Sequence, residues 1–402
     1  MTSEWHEVPL RELVWYISKG IAPSYAEEAS ETTIRVLNQK CNRNFRISYG
    51  DSRLHDTLKK KVPPERYVKP DDILINSTGA GTAGRIAQIE DVPSATTIDG
   101  HMILIRSNRK VTQKFLGYAL KAHQWEVLQL DEGSTGQTEL NRDRLLDEIM
   151  INYPVSFDEQ NAIVGTLESI DRKLIVNEQL NDNLEQQAQA IYHERFETIS
   201  PNDLPSEWRI VTLGEVATIS SKSFNPLKEP EILLEHYSIP AFDEARFPVF
   251  ELSTSIKSNK FIIDASCFMI SKLNPTTKRV WKPYCLTGNA VCSTEFIVYK
   301  AKDKTITDFL YSVIDSNSFS DFMCSHVTGS TGSRQRTTPS DTLSYELILP
   351  SEDELAKFQS LVSPMYAQIR INAIENDRLK RLRDSLLPKL MSGEIDVSTI
   401  QL

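Results

Sequence analysis

Two stretches of the chain carry apolar side chains in alternating steps of four and three residues, the heptad spacing of a coiled-coil seam. The seam positions of the first stretch are Ile163, Leu167, Ile170, Leu174, Asn177, Asn181, Leu184, Ala188 and Ile191. Those of the second stretch are Phe358, Val362, Met365, Ile369, Asn372, Asn376 and Leu379. A Ser-x-x-Glu capping box, which marks a helix start, precedes each seam at 156–159 and 351–354. We therefore predict a long helix over 156–200 and another, with a short tail, over 350–402.

Asparagine interrupts both seams at matching positions, so that polar residues fall inside otherwise apolar stripes. The four residues are Asn177, Asn181, Asn372 and Asn376. A buried asparagine lowers stability and is best explained as fixing the register against a polar partner, so we expect the two helices to pair as an antiparallel coiled coil. The charges agree, because the first helix is net acidic and the second is net basic from Arg370 to Lys389. Two amphipathic helices that each pack on their own domain remain the alternative.

Helix geometry adds two expectations. A helix of about 40 residues is roughly 60 Å long, so an antiparallel pair would hold two globular domains far apart, related by a pseudo-twofold axis. Pro388 is expected to end or kink the second helix near Leu387, because proline lacks the amide proton and clashes with the preceding turn.

The segments 1–155 and 201–349 alternate short apolar runs with Gly, Pro and Asn, a pattern typical of strands joined by loops. Examples of such runs are 72–76, 102–105, 267–270 and 295–299. The segments also repeat each other, since the Gly-Ser-Thr-Gly run at 133–136 returns at 329–332, about 195 residues later. We predict an α+β fold with two similar globular domains, each a mixed and mainly β core with helices, separated by the coiled coil.

A formal net charge of −10 argues against a protein that coats DNA non-specifically over its whole surface. It leaves room for local basic faces, and basic residues outnumber acidic ones in 35–69 and in 257–282. We expect no transmembrane helix, because no run of about 18 apolar residues is present. We expect no secretory signal, because the N-terminus from Met1 to Trp5 has neither a basic n-region nor an apolar h-region. Five cysteines without a Cys-x-x-Cys pair favour free thiols over a disulfide framework or a zinc site.

No group of residues typical of catalysis stands out in the sequence. The glycine-rich motifs that bind nucleotides are missing, and the seven histidines show no metal-ligand spacing. We therefore predict no catalytic residue and no metal site.

The remaining candidate residues lie in small polar loops that follow predicted strands, and their side chains suit recognition of DNA. Hydroxyl and amide groups of such loops suit phosphate, whereas Arg, Lys and Asn side chains suit base edges. Ordinary turns remain the alternative for each loop taken singly. The candidate DNA contacts in the first half are Arg35, Asn38, Lys40, Arg43, Asn76, Ser77, Thr78, Arg85, Ser134, Thr135, Gln137 and Arg142. Those in the second half are Lys222, Lys272, Asn274, Lys278, Arg279, Ser330, Thr331, Arg334 and Arg336.

In this order, the motifs resemble one known family along essentially the whole chain: the specificity subunit of Type I restriction–modification systems. The motifs that carry the resemblance are the strand-loop at 71–79, its partner at 268–275, the two Gly-Ser-Thr-Gly loops, the helix openings at 157–160 and 352–355, and the ending at 386–395. Each motif alone is weak, but their order and the half-length repeat are specific.

The resemblance implies target-recognition domains at 1–155 and 201–349, each contacting one half of a split double-stranded DNA site. It further implies that the coiled coil sets the gap and docks two methylation (M) subunits, and that restriction (R) subunits join them in the cytoplasm of a bacterium or archaeon. S-adenosylmethionine, ATP and Mg²⁺ would belong to the partner subunits, and this chain would be a non-catalytic subunit without a cofactor. Cys267 stands where the first half has Asp72, so the two domains should recognise different sequences. A coiled-coil adaptor that binds only proteins remains the alternative.

Overall fold

The computed structural model describes residues 4–79, 81–132, 139–328 and 335–400. The chain forms two compact units, Met1–Lys173 with Lys380–Leu402, and Leu174–Leu379. None of the helices in the described part of the chain has the length and apolar character that a membrane crossing requires.

The first unit contains fourteen strands in its described part and three short α-helices. Its strands are β1 (Trp5–Pro9), β2 (Val14–Lys19), β3 (Tyr25–Ala26), β4 (Thr33–Leu37), β5 (Asn42–Arg43), β6 (Arg46–Ile47), β7 (Arg53–Asp56), β8 (Ile73–Asn76), β9 (Ile86–Gln88), β10 (Thr96–Ile98), β11 (Met102–Ser107), β12 (Asp131–Glu132), β13 (Glu139–Leu140) and β14 (Met150–Pro154). Its short α-helices are α1 (Gln113–Ala122), α2 (Gln124–Leu128) and α3 (Arg142–Glu148). The long helix α4 (Phe157–Tyr192) follows and continues into a π-helical turn, His193–Glu197.

The second unit contains the remaining strands and helices. Its strands are β15 (Arg209–Thr212), β16 (Ala217–Ile219), β17 (Ser223–Phe224), β18 (Leu233–Tyr237), β19 (Val249–Leu252), β20 (Lys260–Ile262), β21 (Cys267–Ser271), β22 (Val280–Trp281), β23 (Ala290–Ser293), β24 (Phe296–Ala301), β25 (Val327–Thr328), β26 (Arg336–Thr337) and β27 (Glu346–Leu349). Its α-helices are α5 (Leu213–Val216), α6 (Ile239–Ala245), α7 (Thr307–Ile314) and α8 (Asn317–Ser325), followed by the long helix α9 (Glu352–Met391). Short 3₁₀ turns in the two units are Leu10–Leu13, Gln39–Cys41, Pro64–Arg66, Pro201–Asp203, Pro226–Lys228, Ser253–Ser255, Lys304–Ile306, Pro339–Ser344 and Val397–Thr399.

The two units share the core of one strand topology. In the first, the antiparallel sheet β2-β11-β8-β9 lies beside a sheet in which β4 pairs parallel with β10 and antiparallel with β7. In the second, the sheet β16-β24-β21-β22 lies beside one in which β18 pairs parallel with β23 and antiparallel with β19. An opening strand pairs with a late strand in each unit, β1 with β14 and β15 with β27. Two similar, mainly β units and two long helices therefore confirm the predicted fold class.

Burial on both faces explains why the central strands are unbroken apolar runs. In β8, Ile73 and Ile75 face the core that includes α1, whereas Leu74 faces the second sheet. In β21, Phe268 and Ile270 face the helices, whereas Met269 faces the opposite core. A strand covered on one face only would alternate apolar and polar residues instead.

The long helices contribute to the cores of both units. In the first unit, the start of α4 and the end of α9 bury Leu167 and Leu390. In the second unit, Tyr192 of α4 and Phe358 of α9 are in contact within an aromatic cluster. Serine side chains accept the first-turn N–H bonds at both helix starts, from Glu159 at 3.4 Å and from Glu354 at 3.5 Å.

Of the two alternatives for Pro388, an end of α9 near Leu387 is wrong, because the helix runs on through Pro388 to Met391. A kink at Pro388 stays a prediction. Proline removes one helical hydrogen bond, and in a helix interior this costs ~3 kcal/mol or more. Leu387, Leu390 and Met391 are all buried in the first unit, however, and each buried large apolar side chain contributes about 1.5–3 kcal/mol. Burial of these side chains therefore offsets the cost of the proline.

Candidate nucleic-acid interface

The loop that follows β8, between Asn76 and Ile86, is held by main-chain contacts in the first unit. The Ser77 amide donates to the carbonyl of His101 at 2.8 Å, and the carbonyl of Ser77 accepts from the amide of Leu140 at 2.8 Å. A β-bridge joins Thr78 to Glu139. The segment that follows the first Gly-Ser-Thr-Gly run therefore lies beside this loop.

The same three contacts recur in the second unit, after β21. The Lys272 amide donates to the carbonyl of Glu295 at 2.9 Å, and the carbonyl of Lys272 accepts from the amide of Thr337 at 3.1 Å. A β-bridge joins Leu273 to Arg336. We call this arrangement the loop frame: a loop after the central strand, bridged to the strand that returns from the Gly-Ser-Thr-Gly run. The structure thus brings together in each unit two segments that the sequence singled out separately.

The hairpin strands β12 and β13 flank the first Gly-Ser-Thr-Gly run, and β25 and β26 flank the second. Both runs fall outside the described residues. The candidates that lie there are Ser134, Thr135, Gln137, Ser330, Thr331 and Arg334.

Glycine backbone conformations shape the first loop. Gly79 and Gly84 have φ of +113° and +85°, a region that other residues rarely adopt. A Cβ on Gly79 would lie 2.4 Å from Oγ1 of Thr82, and one on Gly84 would lie 2.9 Å from the carbonyl oxygen of Val127. These positions therefore require glycine.

Asn76 and Ser77 are corrected by the structure, because both are 0% exposed and neither can reach DNA from this position. Asn76 donates from Nδ2 to the carbonyl of Gln39 at 3.1 Å and accepts from Nδ2 of Asn42 at 3.2 Å. The Asn42 amide also donates to the carbonyl of Arg85 at 2.8 Å, which closes the loop. These side chains hold the loop frame together. The sequence alone does not distinguish a polar residue that holds the loop from one that contacts DNA.

Two further candidates of the first half have internal roles. Arg35 is half-buried and donates to Oγ of Ser52 at 3.1 Å. Asn38 caps the turn that follows it by accepting from the Lys40 amide, and it donates to the carbonyl of Asp51 at 2.7 Å.

The exposed candidates of the first unit are cations around the loop frame. Thr78 is half-buried and bonds to Nδ1 of His101 at 2.8 Å. The cations are Lys40, Arg43, Arg85 and Arg142. No ion pair is seen for these four within the described residues, and Arg85 donates only to the carbonyl of Gly81 at 3.2 Å. They are therefore available to an external anion.

Two loop cations of the second unit, Lys278 and Arg279, are paired instead. Lys278 lies 3.1 Å from Asp315, and Arg279 makes two hydrogen bonds to Asp243 at 2.6 and 2.8 Å. Arg279 is only 13% exposed, so this candidate is corrected to an internal ion pair.

Arg336 makes two hydrogen bonds to Glu295 at 3.0 Å, and this carboxylate raises the pKa of the guanidinium. Lys222 is exposed, and Lys272 is half-buried. Asn274 adopts φ +48°, and its Oδ1 is buried without a partner among the described residues.

The sequence did not identify the side chains that hold the frame from outside. Gln124 accepts from the Ile86 amide at 2.9 Å and donates to the carbonyl of Gly84 at 2.8 Å. Asp99 accepts from the amide of His101 at 2.9 Å, and burial raises the pKa of this carboxyl although that hydrogen bond lowers it. Neither residue belongs to a motif, so no sequence signal marks them.

The four seam asparagines meet as two cross-helix pairs in the second unit. Asn177 donates to Oδ1 of Asn376 at 2.8 Å, and Asn372 donates to Oδ1 of Asn181 at 2.8 Å. Because residue numbers rise along α4 while they fall along α9, the two helices run antiparallel here. Asn177 also donates to Oε2 of Glu375 at 2.7 Å. That these pairs set the register stays a prediction.

Comparison with known proteins finds a matching family profile and two similar sequences. Residues 2–186 match the family profile described as "Type I restriction modification DNA specificity domain". The chain is 25% identical over 384 residues to "Type I restriction enzyme MjaIX specificity subunit" of Methanocaldococcus jannaschii, covering 88% of this chain and 84% of that one. It is 33% identical over 93 residues to "Type I restriction enzyme HindI specificity subunit" of Haemophilus influenzae, covering 23% of this chain and 20% of that one.

A solved structure shares the fold. The crystal structure of a Type I restriction–modification system S subunit from M. genitalium matches with a TM-score of 0.58 at 17% identity, over 97% of this chain and 96% of that one. The resemblance inferred from the motifs is confirmed: residues 2–186 match the specificity-domain profile, and the chain shares its fold with a solved S subunit.

Proposed function

We propose that this chain gives a Type I restriction–modification complex its DNA sequence specificity, with each unit contacting one half of an asymmetric, split site. One observation carries the proposal: the loop frame is built twice with the same main-chain contacts but with different side chains around it. A shared backbone scaffold suits two modules with one task, and different side chains suit two different targets. The DNA specificity domain matched over 2–186 favours this function over that of a protein-binding adaptor.

Exposed cations supply the physical basis for binding. Lys40, Arg43, Arg85 and Arg142 can neutralise phosphates, which positions the duplex without selecting a sequence. Sequence selection then depends on side chains that reach base edges in a groove. A net charge of −10 argues against binding over the whole surface and favours contacts at local basic sites.

In the assembled complex, α4 and α9 would set the gap between half-sites and dock two methylation subunits, which restriction subunits join. The chain itself would be non-catalytic. S-adenosylmethionine, ATP and Mg²⁺ would be bound by the partner subunits, in the cytoplasm where they meet chromosomal DNA. Support comes from the specificity-domain match over residues 2–186 and from a helix pair in which polar residues meet inside an apolar seam.

Methylation mapping tests the proposal. The chain is produced together with the methylation subunit of its own system, and methylated bases are located across a host genome. We expect one split motif with two different halves and a fixed gap, and loss of methylation when this chain is omitted. Methylation without a shared motif, or an unchanged motif without this chain, would overturn the proposal.

A further inference from the structure

One position of the loop frame carries opposite charges in the two units. Glu139 is bridged to Thr78, and Arg336 is bridged to Leu273, so the two residues occupy equivalent places beside their loops. The neighbouring residues, Leu140 and Thr337, donate equivalent main-chain hydrogen bonds to those loops. The backbone is therefore the same while the chemistry of the side chain is inverted.

Both side chains are partly exposed, and each is held by an ion pair. The Glu139 side chain is 55% exposed and is bonded to Lys19, and the Arg336 side chain is 42% exposed and is bonded twice to Glu295. Each ion pair restricts the rotamers of the charged side chain while leaving about half of it exposed to solvent. Less conformational entropy is then lost when the side chain bonds to a ligand.

We infer that Glu139 and Arg336 are equivalent base-reading positions, one in each half-site, that select bases of opposite hydrogen-bonding character. A guanidinium donates two hydrogen bonds to O6 and N7 of guanine, whereas a carboxylate accepts from the amino group of cytosine. Arg336 therefore selects guanine in one half-site, and Glu139 selects cytosine in the other. Lys19 and Glu295 are positioning residues. This inference rests on the proposed function.

Single substitutions in the complex with its methylation subunit test the inference, with genome-wide methylation motifs and duplex competition as readouts. Arg336→Gln should lower the preference for the cognate base pair about 5- to 150-fold at one position of one half-site. Arg336→Lys keeps the charge but not the paired donors, and it should relax the same position. Glu139→Gln should relax one position in the other half-site.

Glu295→Gln distinguishes reading from a merely structural ion pair. If Glu295 positions Arg336, this variant relaxes the same base position as Arg336→Gln while complex assembly and the other half-site are unchanged. Lys300→Gln is the matched control, since its ion pair with Asp264 lies towards the other end of β24, roughly 17 Å along the chain from Glu295. It should leave the motif unaltered.

Every outcome bears either on the base-reading positions or on the proposed function. A split wild-type motif that all three reading variants leave unchanged overturns the inference but leaves the proposed function intact. So does equal weakening of both half-sites, because it indicates a scaffolding role. Absence of a split motif with the wild-type chain overturns the proposed function itself.

Discussion

At the scale of single residues, the polar side chains beside the loops fall into two groups. Some hold the loop frame together by internal hydrogen bonds, and others face the solvent. Asn76 is fully buried and bonded on both sides of its amide, whereas Arg85, nine residues later, is exposed. Their sequence context is the same polar loop. Only the depth of the strand end, which the Gln39–Cys41 turn and β5 cover, separates the two roles.

Asn76→Ala and Arg85→Gln should therefore affect different properties: the first should lower stability, and the second should weaken DNA binding. Asn76→Ala leaves buried partners without hydrogen bonds, and we expect it to lower the free energy of unfolding by about 1–3 kcal/mol. Arg85→Gln should change stability by less than about 0.5 kcal/mol, yet weaken DNA binding and reduce its salt slope by about one. Denaturant titration and binding at several salt concentrations measure both quantities. Similar stability losses for the two variants would contradict the division.

A buried ion cluster in the first unit gives a prediction about pH. Burial raises the pKa of Asp171, but Lys121 at 3.0 Å and Arg383 at 2.9 Å outweigh it and hold the pKa below its usual value. A depressed carboxyl pKa stabilises the fold above the unfolded pKa, near 4, and this contribution disappears as pH falls through the folded pKa.

Asp171→Asn should therefore lose stability at neutral pH and show a weaker decline than wild type as pH falls from about 5 to 2. Asp384→Asn is the control, because that acid contacts the same Arg383 but is exposed. Unfolding free energies measured across this range decide the point. Parallel curves for wild type and Asp171→Asn would count against it.

At the scale of elements, the heptad spacing and capping serines made the two long helices predictable, because both signals are local. The strands β8, β11, β21 and β24 were also predictable as short apolar runs. Their partners were not, because pairing such as β4 with β10 joins residues far apart in sequence. The end of α9 was missed for a related reason: burial of Leu390 and Met391 is a tertiary effect that outweighs the local preference of Pro388.

The asparagine pairs between α4 and α9 lend themselves to a double-mutant cycle. Asn177→Leu or Asn376→Leu alone leaves the buried amide of the paired asparagine without its hydrogen bond. We expect each single substitution to lower the free energy of unfolding by about 1–3 kcal/mol. The double variant should lose less than the sum, because both polar partners leave together. Asn183→Leu, at an exposed site on α4, is the control and should be nearly neutral.

If the pairs fix the register, the double variant should also yield a methylation motif with a less uniform gap. A sharp, unchanged gap in a variant that assembles normally would show that the asparagines do not set the register.

At the scale of the whole molecule, the repeat of the two units could be predicted from the sequence, and so could the segments that form the loop frame. The sequence did not predict that, within the described part of the chain, the cations around the first loop frame are unpaired while two of those around the second are paired with acidic residues. Lys278 and Arg279 look as available in sequence as Arg43 and Arg85, but their acidic partners lie at the end of α7 and in α6. Local composition therefore overstates the basic surface of the second unit.

Salt dependence tests this uneven distribution. Replacing Lys40, Arg43, Arg85 and Arg142 by Gln should lower the slope of log K against log salt by about 0.9 for each phosphate that is no longer neutralised, hence by up to about 3.6. Replacing four exposed cations elsewhere, Arg11, Lys110, Lys302 and Lys304, gives the same net charge and should leave the slope nearly unchanged. Equal slopes for the two variants would mean that net charge, and not the placement of these cations around the first loop frame, governs binding. A selective decrease would mean that an acidic protein binds DNA through a small set of placed side chains.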